Sequence, residues 1–396
     1  MRARAHTVGT LAVVPILVAL DMPGGSAFVE ALRRVWDAGD AATPLDRRLP
    51  PPARTAALAA LAPGAVVGPD GERHALPGGR PVDPGDALVL ATSGSTGEPK
   101  GVVLTHAAVA ASAEATSARL AVDPTRDRWL ACLPLAHVGG LSVVCRSLHT
   151  GTPVEVHDGF DAATVTAAAG RARAEGRRVR VALVTAALAR VDPGAFHTIL
   201  LGGAAPPGSP PANAVVTYGM TETGSGLVYD GVPLDGAEVA IGDGTLGAPG
   251  EVLVRGPMLL RAYRDGTVPL LAGGWLPTGD AGALDSDGRL HVHGRMAEVI
   301  VTGGEKVWPV AVERVLAGHS AVAEVAVAGW PDPEWGQRVV AHVVPATGVL
   351  PPTLDDLREL VKAHLGPWSA PRDLVLVPSL PRTPSGKIRR SALAGG

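Results

Sequence analysis

Thr92-Ser93-Gly94-Ser95-Thr96-Gly97-Glu98-Pro99-Lys100-Gly101 lies between two strand-like runs, Asp86 to Ala91 and Gly101 to Leu104. Its glycines let the backbone turn tightly and present N–H groups, its hydroxyl residues crowd the turn, and Lys100 supplies positive charge. Together these suit a polyphosphate. The P-loop order G-x-x-x-x-G-K-[ST] is not met: the lysine follows the second glycine by three positions, and strand follows where a helix should begin. A generic P-loop NTPase is disfavoured. A solvent-exposed Gly/Ser turn would fit a shorter, less ordered run.

Outward from this loop, short β-rich runs alternate with longer helical patterns, as in a layered α/β protein. His106 to Leu120 predicts an Ala-rich helix, and strands are expected at Trp129 to Leu133, Val179 to Val184, Thr198 to Leu201 and Ala214 to Thr217. These imply a large mixed or parallel sheet covered by helices. Upstream, Ser26 precedes Phe28, Leu32, Val35 and Trp36 at helical spacing with Gly39 beyond, which predicts a capped helix; Pro50 to Pro52 then mark a turn. The character changes near Gly294. A strand at Glu298 to Val301, a helix from Pro309 to Ala317, β-runs at Val322 to Ala328 and Val339 to Val344, and a helix capped by Thr353 make a small α+β domain. The expected division is 1–294 and 297–396.

The 396 residues are enough for two or three folding units, and their 46% hydrophobic content is that of a globular chain. Lys+Arg 35 against Asp+Glu 38 leaves a net charge of −3 without long runs of one sign, which argues against nucleic acid or an anionic membrane as main partner. Gly 50 and Pro 36 imply many loops and turns. Cys132 and Cys145 lie in apolar surroundings and cannot staple such a chain. Arg2 and Arg4 before the apolar run Leu11 to Leu20 resemble a signal peptide, yet no Ala-x-Ala-like site follows promptly, so an opening strand is expected. No stretch approaches the ~20 apolar residues of a membrane span. The expected setting is the cytoplasm. Oligomeric state is left open, a homodimer included.

Four further stretches carry chemistry. Tyr218-Gly219-Met220-Thr221-Glu222-Thr223 follows a strand, where a sheet offers its crevice to ligands; tyrosine can stack on a base, threonine can reach a phosphate, and glutamate can hold Mg²⁺. Gly202-Gly203-Ala204 could let an adenine approach the backbone, although most such pairs are only turns. Asp280 can accept hydrogen bonds from ribose hydroxyls, and Arg295 suits a ribose or phosphate oxygen. Pro384-Ser385-Gly386-Lys387 puts a lysine on a polar tail, where domain closure could deliver it onto a phosphate.

Thr92 to Gly101, Tyr218 to Glu222, Gly274 to Asp280, Gly294-Arg295 with Gly303-Gly304, and Pro384 to Lys387 resemble, in order, the core motifs of the adenylate-forming acyl-CoA ligase superfamily, over about Asp86 to Arg390. Leu133 to Leu141 and Tyr218 to Leu234 are similar to the o-succinylbenzoate CoA ligases of menaquinone biosynthesis within it. The resemblance implies a large adenylation domain, a small mobile lid, and two steps: a carboxylate attacks the α-phosphorus of ATP to give acyl-adenylate and pyrophosphate, then coenzyme A displaces AMP. It implies that Ser93, Gly94, Ser95, Thr96, Gly97 and Lys100 embrace the β- and γ-phosphates, with Thr92 opening that loop. Tyr218 and Gly203 would flank adenine, in the stretches Gly202 to Ala204 and Tyr218 to Met220. Thr221 would contact the α-phosphate, Glu222 would hold Mg²⁺, and Asp280 and Arg295 would fix the ribose. Lys387 would bridge the attacking carboxylate and the α-phosphate, and Gly303 and Gly304 would line the pantetheine channel. His137 occupies the acyl-pocket and thiol-tunnel position. For an unactivated second carboxylate, Arg146 is a candidate, beside a structural or surface role. A ligase for another aryl or acyl acid, an enzyme loading a carrier protein, and a nucleotide-binding protein without turnover remain alternatives. One departure stands at the hinge: Ala297 replaces the family's usual aspartate or lysine, and Glu298 is the candidate substitute.

Overall fold

The computed structural model describes residues 14–93, 99–203, 209–242, 249–382 and 388–393, without the side chains of Ser93 and Pro99. The expectations on Gly94, Ser95, Thr96, Gly97, Ala204 and Lys387, on the Ser93 side chain and on the start of the first apolar run fall outside these residues.

Two seven-stranded sheets form the body. The first runs in the order Ala262–Tyr263, Pro99–Thr105, Asp86–Ser93, Ala41–Pro44, Leu17–Leu20, Ala65–Val67 and Arg73–Ala75. Its centre is parallel and both edges are antiparallel, the hairpin of Asp86–Ser93 and Pro99–Thr105 at one and Arg73–Ala75 at the other. The second runs Val232–Pro233, Ser225–Tyr229, Ala214–Met220, Thr198–Gly202, Arg178–Val184, Asp127–Ala131 and Val154–Val156, parallel except at the Ser225–Tyr229 end.

Period-two alternation decides which face each side chain serves. Leu88, Leu90, Val102 and Leu104 enter the main core, whereas Val89 and Val103 face the opposite side with Leu61. In the second sheet Trp129 and Ala131 join the main core, while Leu130, Val179, Val181 and Leu183 pack beneath Val165, Ala168, Ala169 and Ala172 of the helix Ala162–Ala174. The helices His106–Arg119 and Val138–Thr150 fill the space between the sheets, packed on each other. Gly140 lets the second helix fold back on the loop before it: a Cβ there would lie 2.4 Å from the Leu133 carbonyl oxygen.

A four-stranded antiparallel sheet, Glu238–Gly242, Gly250–Arg255, Leu276–Leu284 and Leu290–Arg295, follows. After the short turn Met296–Glu298 comes a five-stranded sheet built on the long hairpin Val322–Asp332 and Gly336–Pro345. The helices Pro309–Leu316 and Leu354–Leu365 close a separate core there, through Val312, Leu316, Leu357 and Val361. Among the described residues no helix is long and apolar enough to cross a membrane.

Three local expectations shift. The helix Ser26–Asp37 is preceded by Gly25 at the N-cap, and Ser26 is its first helical residue and not its cap. Pro50 to Pro52 open the helix Pro51–Leu61, because proline at a first helical turn has no N–H to lose. The strand expected from Glu298 begins at Ile300, since Glu298 belongs to the preceding turn. Thr353 caps its helix as expected, in a reciprocal box with Asp356.

Candidate functional site

The strand Ala214–Met220 and the single turn Thr221–Thr223 connect two polar corners. Gly219 lets this strand press against its neighbour, for a Cβ there would lie 2.2 Å from the Ser225 carbonyl oxygen. Thr223 is buried and its hydroxyl accepts a hydrogen bond from the Met220 N–H at 2.9 Å, which folds the turn and leaves Thr221 and Glu222 partly exposed.

At the first corner the Tyr218 hydroxyl donates to Asp280 Oδ2 at 2.9 Å. Asp280 and Arg295 sit directly opposite each other on antiparallel strands, and Arg295 Nε lies 3.0 Å from Asp280 Oδ1. Arg295 also donates to the Thr278 carbonyl at 3.0 Å, and the Asp280 N–H donates to the Thr278 hydroxyl at 3.1 Å. Burial, aided by the Asp280 carboxylate, pushes the Tyr218 phenol well up, so it remains a donor. Gly203, with φ +86°, ends the neighbouring strand after Gly202.

At the second corner Thr92 and Lys100 pair across the phosphate-loop hairpin. Tyr263, on the edge strand beside it, carries Lys100 Nζ 5.4 Å from its ring centroid and donates its hydroxyl to Glu222 Oε1 at 3.1 Å. Glu222 accepts from Tyr263, and among the described residues no cluster of three or more His, Cys, Asp or Glu could hold a metal. A lone partly exposed carboxylate fits Mg²⁺, which keeps several waters and takes substrate phosphates alongside one or two carboxylates.

A third group gathers around His137 and Arg146. His137 is the N-cap residue of Val138–Thr150, with Nε2 3.0 Å from Arg48 Nη2 and 3.3 Å from Asp46 Oδ2. The Arg48 guanidinium grips Asp46 through two contacts of 2.8 Å and holds its carboxyl below the usual range. Deeper in, Arg146 is 2% exposed. Its Nη2 donates to Ser142 Oγ at 3.2 Å and Ser225 Oγ at 3.1 Å, its guanidinium lies 5.2 Å from the Trp129 ring, and Nε and Nη1 have no hydrogen-bond partner among the described residues. A cavity of about 10 Å³, walled by Arg146, Ser112, Ser142, Leu90, Val138 and Leu141, adjoins it. It is room for about one water.

The sequence motifs thus meet in part. Tyr218, Asp280 and Arg295 form one contact network, and Lys100 and Glu222 meet through Tyr263. Gly303 and Gly304 form a turn at φ +59° and +87° packed under Trp335, and no hydrogen bond among the described residues joins that turn to the two corners. At the hinge, Arg390 reaches both Glu298 and Glu313 at 2.6 Å, so Glu298 is tied to the C-terminal part of the chain. Sequence reasoning missed Tyr263, Asp46, Arg48, Ser142 and Ser225. The charged pair between Pro44 and Pro50 was a usable signal for Asp46 and Arg48; the two serines offered none.

Comparison with known proteins shows the family. The family model "AMP-binding enzyme" matches residues 75–264, and "AMP-binding enzyme C-terminal domain" matches 311–387. A probable 2-succinylbenzoate–CoA ligase of Mycobacterium tuberculosis strain H37Rv is 42% identical over 341 residues, covering 81% of this chain and 86% of that protein. The o-succinylbenzoate CoA synthetase of Bacillus subtilis in complex with its acyl-adenylate intermediate is similar with a TM-score of 0.83 at 28% identity, covering 96% of this chain and 88% of that one. The same synthetase with ATP and magnesium ion gives a TM-score of 0.81 at 28% identity, covering 95% and 89%.

Proposed function

Because the chain belongs to the AMP-binding enzymes, and among them to the 2-succinylbenzoate–CoA ligases, we propose that the residues assembled above carry the two half-reactions of that activity. The protein is an ATP-dependent, AMP-forming acid–CoA ligase that converts o-succinylbenzoate, ATP and coenzyme A to o-succinylbenzoyl-CoA, AMP and pyrophosphate through an acyl-adenylate, with Mg²⁺. We assign the reaction to the cytoplasm.

The observation that carries the residue assignment is that one strand and its turn place Tyr218 at the Asp280–Arg295 corner and Glu222 at the Lys100 corner. A nucleotide laid along that strand would rest its adenine against Gly202 to Ala204 and Tyr218 to Met220. Its ribose would meet Asp280 and Arg295, and its α-phosphate Thr221. The β- and γ-phosphates would enter the loop from Thr92 through Gly97 to Lys100. Mg²⁺, held by Glu222, would neutralise phosphate charge. The acid's reacting carboxylate forms a bond to the α-phosphorus as the bond to the bridging oxygen breaks, and pyrophosphate leaves. No enzyme nucleophile is required, so positioning and charge neutralisation supply the rate. Lys387 would stabilise the charge developing there. Residues 297–396 would then turn about the hinge to bring Gly303 and Gly304 to the pantetheine arm. The coenzyme A thiolate attacks the acyl carbon, and the bond to AMP breaks. His137 would border the thiol's route, and Arg146 would receive the second carboxylate, supplying the acceptors that Nε and Nη1 lack.

Two measurements test this. With ATP, Mg²⁺ and coenzyme A, mass analysis of a panel of acids should show the thioester of o-succinylbenzoate; a better reaction with another acid and none with this one would overturn the substrate. Lys387→Ala should slow adenylation by ~10² to 10³ while thioester formation from preformed acyl-adenylate persists. Equal loss in both half-reactions would overturn the exchange of domains.

A further inference from the structure

Tyr263 belongs to none of the motifs, yet it touches two residues that do. It sits opposite Val102 on the two-residue strand Ala262–Tyr263, so it flanks the hairpin two positions from Lys100. The edge is firmly tied down. The Arg264 N–H donates to the Gly101 carbonyl at 2.6 Å, and the Arg264 guanidinium donates to the carbonyls of Leu61 at 3.0 Å and Pro81 at 2.7 Å. Glu222 is fixed from the same segment by the Leu260 N–H, 2.7 Å from its carbonyl oxygen. Burial first, and the Glu222 carboxylate second, push the Tyr263 phenol up, so its hydroxyl stays a donor.

Lys100 and Glu222, which both contact the Tyr263 side chain, have opposite sign and form no ion pair with each other, while the Asp265 carboxylate also lies within electrostatic reach of Lys100 and Tyr263. Were the ring absent, a flexible lysine and a carboxylate flanking one short side chain could collapse onto each other. Each would then spend its charge on the other before any nucleotide arrived. With the ring present, the lysine rests on an aromatic face, which attracts a cation without neutralising it. The hydroxyl meanwhile occupies one carboxylate oxygen and orients the other.

We propose that Tyr263 is a positioning residue that separates and aims Lys100 and Glu222, its ring holding the lysine for phosphate and its hydroxyl holding the glutamate for the metal. The inference rests on the assignment of Glu222 to Mg²⁺ and of Lys100 to the terminal phosphates. It assigns each half of one side chain a distinct task, so the halves can be removed separately.

Calorimetric titration with ATP, with and without Mg²⁺, reads both tasks as equilibrium binding. Tyr263→Phe keeps the ring; it should raise the Mg²⁺ concentration for half-maximal ATP binding about fivefold, leave affinity for metal-free ATP unchanged, and leave the melting temperature unchanged. Tyr263→Leu should also weaken metal-free ATP binding about five- to tenfold. Adding Glu222→Gln to Tyr263→Leu should restore that binding, because Lys100 loses the partner it collapsed onto. For Tyr263→Phe and Tyr263→Leu, thioester formation from preformed acyl-adenylate should fall less than adenylation. A wild-type Mg²⁺ curve for Tyr263→Phe, unchanged ATP affinity for Tyr263→Leu, or equal loss in both half-reactions would overturn the proposal. Glu222→Gln alone separates the two levels. If it leaves the Mg²⁺ requirement unchanged, the metal assignment falls and takes this inference with it. If it raises the requirement and Tyr263→Phe does not, the positioning role of Tyr263 alone falls.

Discussion

The Tyr218–Asp280–Arg295 corner and the Arg146 chamber are both charged and both built into the large domain, but they are finished to different degrees. At the first, a carboxylate, a guanidinium and a phenol already satisfy one another across two adjacent strands. At the second, a fully buried guanidinium holds two serine hydroxyls and leaves Nε and Nη1 without acceptors. A satisfied network is rigid and receives its ligand without rearrangement, whereas an under-satisfied buried charge is a standing cost that an incoming anion would relieve. On the proposed assignment, the difference would separate groups that orient a substrate from a group that selects one.

The most forceful way to break the comparison is Arg146→Met. Breaking a charge pairing in a buried site costs several kcal/mol, so the acid's KM for adenylation should rise about 10²- to 10³-fold. An analogue whose second carboxylate is a carboxamide should lose little between wild type and variant. Replacing an under-satisfied buried charge by an apolar side chain of similar volume is often neutral or stabilising, so the melting temperature should hold or rise. A fall in melting temperature with unchanged KM would make Arg146 a purely structural residue.

Asp280→Asn tests the opposite side, with a smaller expected effect. Arg295 loses its ionic partner and the ribose loses a charge-assisted acceptor, so the KM for ATP should rise about tenfold. Here, in contrast to Arg146→Met, the melting temperature should fall, because a paired group is left without its partner. A variant that weakens ATP binding without loss of stability would show that the corner is not preorganised.

The gentlest probe concerns closure of the chamber. Cys145 lines it and Cys132 lies in the core beneath the second sheet; burial pushes both thiols up to about 12. At pH 8 both are protonated and covered, so iodoacetamide should leave the folded protein unmodified by mass and label both residues after denaturation. Rapid labelling of Cys145 in the native state would mean that the chamber opens freely.

Much of this was legible from local pattern. The strands around Thr92 to Gly101, the helix from His106 and the capping box at Thr353 follow from periodicity and cap chemistry, which act within a few residues. Pro50 to Pro52 misled, because proline marks a turn or a helix start with equal economy and only the chain that follows decides. The candidate site was legible where a motif concentrates unusual residues in one stretch. It was illegible at Tyr263, Ser142 and Ser225, common residue types whose importance lies in what stands across from them.

What the chain dictated unaided is the repertoire: a glycine- and hydroxyl-rich phosphate cradle, alternating apolar strands, and the carboxylates and cations that nucleotide chemistry needs. Tertiary structure alone decided which of these charges are satisfied, because partnership depends on distance between segments far apart along the chain. Tyr218 met Asp280 across 62 residues and Arg146 met Ser225 across 79. Hydrogen bonds and desolvation act over a few ångströms of space, and only the packing of the sheets sets those.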